Sequence, residues 1–180
     1  MSFENHCITL ARKAYRMLNI LFRCVKVRDV HILCKLFTTY VRPLLEYATP
    51  IWNPSFKKNV SLIEKVQKRF IRLVLKNSHD AYHIRLHNLS LMSLEKRREI
   101  FDLCTVFQCV NSLNSSPPLF SLIESNSRGS TLKLFKPFFK STRSPHLFHY
   151  RVIEKWNKLP PFVVHSSSRT TFKRNLLKLT

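Results

Sequence analysis

Glycine is almost absent from this 180-residue sequence, with Gly129 as the single example. One glycine cannot build a phosphate-cradling loop, and no GxSxG elbow accompanies the many Ser, His and Asp residues, so nucleotide-binding and hydrolase classes are disfavoured. Acids are scarce too, 10 Asp and Glu against 31 Lys and Arg. They are scattered: no Asp-Asp pair occurs, and Asp29, Asp80 and Asp102 stand alone. Two-metal phosphoryl chemistry needs carboxylates close enough to share the ions. The five cysteines are odd in number and lack CxxC spacing, which fits buried free thiols in a reducing compartment. No run of 18 apolar residues exists, and Met1-Ser2-Phe3-Glu4-Asn5-His6 lacks the cationic start and apolar run of a signal peptide. Secretion and membrane spanning are disfavoured, and an intracellular place, nuclear or cytoplasmic, is expected.

What the chain has in excess is positive charge. The balance is +21, with a sequence pI near 10.4, which points to a polyanionic partner, nucleic acid first. An anionic membrane surface ranks below it, because the basic residues are spread over all segments and not gathered beside one apolar face. With 44% hydrophobic and 12% aromatic residues, a chain of this length can bury a genuine core, about 70% of its unfolded surface.

The stretch from Tyr40 to Lys76 organises the rest. Prolines at 43, 50 and 54 fix φ and remove backbone donors, so residues 40–54 form a knot of short helical pieces and turns. A long helix follows from Lys58 to Lys76, where Ile63, Val66, Phe70, Leu73 and Val74 recur as a core stripe. Lys58, Lys65, Arg69, Arg72 and Lys76 fall on a second stripe, within about 40° of one another at about 100° per residue. This row is either a cationic ridge for a polyanion or an ordinary solvated face.

Upstream, Ile8, Ala11, Tyr15, Leu18 and Phe22 mark the core face of a helix whose other face carries Arg12, Arg16 and Arg23. Asp29 is placed to cap a second helix reaching Tyr40, with Leu33, Leu36, Phe37 and Tyr40 inward and Arg42-Pro43 ending or kinking it. Downstream, a polar stretch to Asn88 makes a regular helix doubtful, and Ser93 caps a fourth helix to about Leu113. Ile100, Phe101, Leu103, Cys104, Phe107 and Val110 bury most of that helix, leaving Arg98, Asp102 and Thr105 as its exposed face. The expected class is mainly α: a helix bundle over residues 1–114, a linker and loop over 115–131, and a basic C-terminal region over 132–180. That region holds an extended edge segment at Leu132–Lys140, a helix within Pro145–Leu159 and a short helix from Arg169 to Leu179, with its charges on a looser tail than the ridge.

Other constellations weigh less. His79, His83 and His87 stand four apart and on a helix would form an imidazole stripe able to hold a metal, but the surrounding Asn, Ser and Asp residues argue against a regular helix. Cys104 and Cys109 would point about 140° apart on a helix and neither pair nor chelate. Trp52 and Trp156 are able to stack on bases, yet beside Pro54 and Pro160 packing is the better reading. No metal, cofactor or small-molecule substrate is expected.

Several segments carry a resemblance: VRPLLEYATPIWNP and IEKVQKRFIRLVL, then Tyr82 to Leu86 and Leu91 to Arg98. In order, spacing and residue type they resemble the region just beyond the palm of LINE-type (non-LTR, jockey-like) retrotransposon reverse transcriptases. Phe3 to Arg23, with Lys13-Ala14, is similar to the family's preceding segment. Ser127-Arg128-Gly129, Phe148-x-x-Arg151, Trp156-Asn157-Lys158-Leu159-Pro160 and Phe172-Lys173 are similar to its extreme C-terminus. The resemblance implies a thumb-like bundle that holds template and primer, RNA or DNA, through phosphate contacts. The catalytic aspartates of such an enzyme lie in a palm motif upstream of the region matched here, so the isolated chain is expected to bind and not synthesise, with a palm encoded upstream as an implied partner. The phosphate contacts expected are Arg12, Arg16, Arg23, Lys58, Lys65, Arg69, Arg72, Lys76, Arg97, Arg98 and Arg128. A domesticated basic module without a polymerase partner, or a decayed fragment without function, reads the same in sequence.

Overall fold

A computed structural model describes residues 3–26, 28–76, 80–111, 120–123, 132–136 and 148–179. The chain is mainly α-helical and forms two compact units, Met1–Arg98 and Glu99–Thr180. The division falls inside a helix, whereas the sequence placed it after residue 114. Basic residues outnumber acidic ones 19 to 6 in the first unit and 12 to 4 in the second, together the 31 and 10 of the whole chain.

In the first unit, α1 (Glu4–Cys24) buries Cys7, Ala11, Ala14, Leu18 and Leu21. The expected stripe is therefore rotated: Ala11 and Leu18 are shared, while Ile8, Tyr15 and Phe22 flank it half-buried. Asp29 caps α2 (Val30–Leu36), its carboxylate accepting from the Ile32 N–H at 2.9 Å. Pro43 does not stop this helix. Residues Phe37–Val41 widen into a π-turn, with the Arg42 N–H bonded to the Phe37 carbonyl, and α3 (Arg42–Glu46) continues. Proline has no N–H and its ring collides with the carbonyl four residues back. A π-turn moves that carbonyl aside at the cost of one extra residue. The extra residue resets the face: Leu33, Phe37, Val41 and Leu45 point inward at intervals of four, Leu36 is half-buried, and Tyr40, expected in the core, is exposed.

Ala48 adopts a left-handed conformation (φ 52°), and the chain turns there into α4 (Thr49–Trp52). The turn brings the Trp52 indole N–H to the Tyr47 carbonyl at 2.7 Å and seats the ring in the core. Helix α5 (Lys57–Val74) buries Ile63, Val66, Phe70 and Ile71, and Leu73 faces solvent instead of the core. The Phe70 ring lies flat on Phe37 (4.1 Å, 12°) and tilts against Phe22 at 6.3 Å. Within the polar stretch after it, where a regular helix was not expected, Tyr82–Asn88 forms α6.

Helix α7 (Leu94–Asn111) spans the division between the units. The Ser93 hydroxyl accepts from the Lys96 N–H at 3.3 Å, as a cap should. The exposed face expected for this helix is wrong in two of three positions: Arg98 and Asp102 are buried, and half-buried Thr105 donates to the Phe101 carbonyl. Each of the two charges has a distant partner, Asn53 for Arg98 and Arg151 for Asp102.

In the second unit a two-stranded antiparallel sheet, β1 (Leu122–Ile123) with β2 (Lys133–Leu134), precedes α8 (Phe148–Asn157), α9 (Pro161–Val164) and α10 (Arg169–Lys178). The core stacks Phe107 on Phe172 at 4.5 Å and Trp156 on Phe172 at 5.7 Å. Trp156 donates to the Leu132 carbonyl, and the Asn157 amide exchanges two hydrogen bonds with the Leu134 backbone, extending the small ladder by a side chain. Arg151 grips Asp102 with two hydrogen bonds, 3.0 and 3.2 Å. Of the C-terminal charges expected on a loose tail, Arg151 and Lys155 are carried by α8 and Arg169, Lys173, Arg174 and Lys178 by α10, helices anchored through Trp156 and through Phe172 and Leu176.

Candidate nucleic-acid interface

Helices α1 and α5 pack against each other and run in the same direction. Two contacts fix this: Lys58 bonds Glu4 at 2.7 Å, and the Arg69 guanidinium stands over the Tyr15 ring at 5.8 Å, each joining residues 54 positions apart. The contacts lie eleven residues apart on both helices, about 16 Å along the axis. Burial raises the Tyr15 phenol pKa, and the charges of Arg69 and Arg72 oppose the shift.

On this frame the expected contacts divide clearly. Arg12, Arg16 and Arg23 on α1 are exposed, as are Lys58, Lys65, Arg69 and Arg72 on α5 and Lys76 two residues past its end. Lys13 joins the first row. Only two acids occur on the two helices. Glu64 is buried, and Glu4 sits at the first turn of α1, tied to Lys58. Beyond that turn the exposed surface of the pair carries cations without a compensating carboxylate of its own. Apolar residues on the inner faces hold both rows, so the side chains start from fixed backbone positions.

Arg97 and Arg98 do not belong to this surface. Arg97 is half-buried and grips Glu46 through Nε and Nη2, the second contact at 3.0 Å, with Arg42 on the same carboxylate at 3.9 Å. Arg98 is 1% exposed and gives its Nε to Asn53 Oδ1 at 3.1 Å, while both Nη atoms are buried without a hydrogen bond. Burial lowers its pKa, and the charges of Glu64, Glu95 and Glu46 oppose the shift. Arg128 lies outside the described residues, as does His79. His83 and His87 are exposed on α6. Among the described residues no group of three or more His, Cys, Asp or Glu side chains is placed to hold a metal, and no helix is long and apolar enough to cross a membrane. The cysteines are free: Cys7 and Cys104 are buried, Cys34 and Cys109 are half-buried, and Cys24 is exposed against expectation.

A buried polar cluster lies behind the cationic rows. The Glu64 carboxylate accepts from the Tyr82 hydroxyl at 2.5 Å and from the Leu94 and Glu95 N–H groups at 3.2 and 3.3 Å, capping the start of α7 from another helix. Gln67 donates to the Tyr82 hydroxyl at 3.2 Å and to the Met92 carbonyl at 3.0 Å. Burial first, and the hydrogen bond to Glu64 second, push the Tyr82 pKa far up. Sequence reasoning missed this cluster. Its one visible trace is that Glu64 and Gln67 occupy the flank of the α5 stripe away from the basic row, where a solvated helix face has no use for a matched pair. Glu46, Asn53, Glu64, Gln67, Tyr82, Arg97 and Arg98 together tie the proline knot, α5, α6 and the start of α7.

Comparison with known proteins adds one relative. The chain is 27% identical over 142 residues to an uncharacterized protein of Caenorhabditis elegans, covering 77% of this chain and 72% of that protein. No family model matches, and no solved structure matches.

Proposed function

We propose that the chain is a nucleic-acid-holding module, equivalent to the thumb of a LINE-type reverse transcriptase, which grips a template and primer through their phosphates. The observation that carries this reading is the pair of parallel helices whose exposed rows, with Lys76 just past α5, hold eight of the expected cations, while the half-buried Glu4 is bonded to Lys58 at one end. On α5 the exposed basic side chains Lys65, Arg69 and Arg72 recur at rises of about 4.5–6 Å, short enough to meet successive phosphates of a backbone. Contacts of this kind position a nucleic acid without reading its sequence, which suits a polymerase that copies any template. The resemblance supplies the enzyme context: the segments it rests on contain both the buried scaffold and the exposed Lys65, Arg69 and Arg72, and chemistry would belong to a palm on the same polypeptide or a partner.

The test is a salt titration of the purified chain with duplex and single-stranded probes of several sequences. If about six phosphates are neutralised, affinity falls on the order of a thousandfold between 50 and 200 mM salt, with little dependence on sequence. A flat salt response removes the proposal. Magnesium-dependent primer extension by homogeneous protein would overturn its non-catalytic part.

A further inference from the structure

Phe3 and Phe56 are the residues immediately before α1 and α5. The helices run in parallel with Glu4 bonded to Lys58, so both rings stand at the same end of the pair. The knot reaches that end as well: His6 packs edge-on against the rings of Phe3 at 6.5 Å and Trp52 at 5.2 Å. Trp52 is buried, but its surroundings are open, with Tyr47 82%, Ile51 73%, Phe56 55% and Phe3 39% exposed. Scattered surface hydrophobics need no explanation, whereas several large ones gathered at one end of a bundle mark a contact surface.

The charge around them selects the occupant. Lys57 and Lys58 are exposed beside Phe56, and the nearby Glu4 is occupied by Lys58. The cationic row starts at Lys58 and runs along α5 away from this end, so a polyanion lying on the row reaches the aromatic side chains at its terminus. Paired bases hide their faces inside the duplex, whereas unpaired bases present them, and stacking on exposed aromatics beside a cationic track is how single strands are held.

We propose that Tyr47, Ile51 and Phe56 form a stacking platform for unpaired nucleobases at the end of the cationic row, so that the partner is a nucleic acid with a single-stranded segment. This inference rests on the nucleic-acid reading above and names the form of nucleic acid it favours. Three probes test it at fixed salt: a blunt duplex, the same duplex with an oligothymidine overhang, and oligothymidine alone. The overhang tightens binding roughly tenfold. Tyr47→Leu combined with Phe56→Leu removes that gain and leaves blunt-duplex affinity unchanged. Tyr47→Trp keeps the gain, and its exposed indole is quenched by the overhang but not by the blunt duplex. Thermal unfolding of each variant checks that the fold is retained.

An overhang that adds nothing, while the blunt duplex still binds with a steep salt slope, overturns this inference and leaves the proposed function standing. No binding to any probe overturns both. A dimer in sedimentation that the leucine pair dissolves assigns the face to a second copy of the chain and overturns the platform.

Discussion

Arg69 stands over the ring of Tyr15 with 5.8 Å between guanidinium carbon and ring centre, so a cation of the α5 row is held by a side chain of α1. The row is thereby part of a two-helix surface and not a single solvated helix face. Arg69→Ala with Arg72→Ala should lower nucleic-acid affinity uniformly across sequences and reduce the salt slope by about two, one for each phosphate no longer neutralised. Removing the guanidinium from the Tyr15 ring costs about 0.5–1 kcal/mol at an exposed site, so the fold persists. Lys173→Ala with Arg174→Ala, on a helix of only ten residues in the other unit, should weaken binding less. Equal effects of the two pairs would mean that the row is merely solvated.

Trp52 joins the knot to the core. It is buried, and its N–H is satisfied by the Tyr47 carbonyl. Trp52→Ala should cost about 3–5 kcal/mol in denaturant unfolding, the range for a large aromatic removed from a packed site. A variant of unchanged stability that has lost nucleic-acid binding would show that the ring meets the ligand instead.

Tyr82 links folding to high pH. Burial and the Glu64 hydrogen bond raise its pKa in the folded chain above the value of about 10 in the unfolded chain. The neutral phenol is the form the fold favours, so its contribution is complete below about pH 10 and is lost as pH rises through the folded pKa. In that window the unfolded chain holds fewer protons at this group than the folded one. Stability should therefore fall more steeply with pH in the native chain than in Tyr82→Phe, by at most about 1.4 kcal/mol per pH unit. Parallel curves for the two proteins between about pH 9 and 11 would exclude the linkage.

How much of this could be read in the sequence depends on the range of the interaction. Helix periodicity is local, so α1, α5 and α7 were legible, as was the Asp29 cap, whose bond spans three residues. The exposed positions of Arg12, Arg16, Arg23, Lys65, Arg69 and Arg72 followed from the same wheel. The π-turn was not legible, because the polarity of Phe37–Val41 does not encode an added residue, and the error carried Tyr40 into the expected core. Arg98 and Asp102 were read as exposed because they are charged. Their partners lie 45 and 49 residues away, and no periodicity within one helix reveals a partner on another. The Glu64 cluster was hidden for the same reason, with bonds spanning 18, 30 and 31 residues.

Arg98 provides the sharpest separation between scaffold and surface. By composition it belongs with the phosphate contacts, and by position it is enclosed, with one hydrogen bond to Asn53 and two buried Nη atoms left without a hydrogen bond. Each unsatisfied buried group costs about 1–3 kcal/mol, which offsets much of what the guanidinium gains from Asn53 and the nearby carboxylates. Arg98→Met keeps the volume and removes those unsatisfied groups, so it should change stability by no more than about 2 kcal/mol. Glu64→Ala leaves the Tyr82 hydroxyl and the Leu94 and Glu95 N–H groups without their acceptor, and should cost more, about 3–5 kcal/mol. Neither residue faces the cationic rows, so Arg98→Met should leave nucleic-acid affinity within about twofold and the salt slope unchanged, while Arg69→Ala alone lowers the slope by about one. A drop in slope for Arg98→Met at intact stability would mean that the buried guanidinium opens to phosphate on binding, and the division between scaffold and surface drawn from its burial would fail.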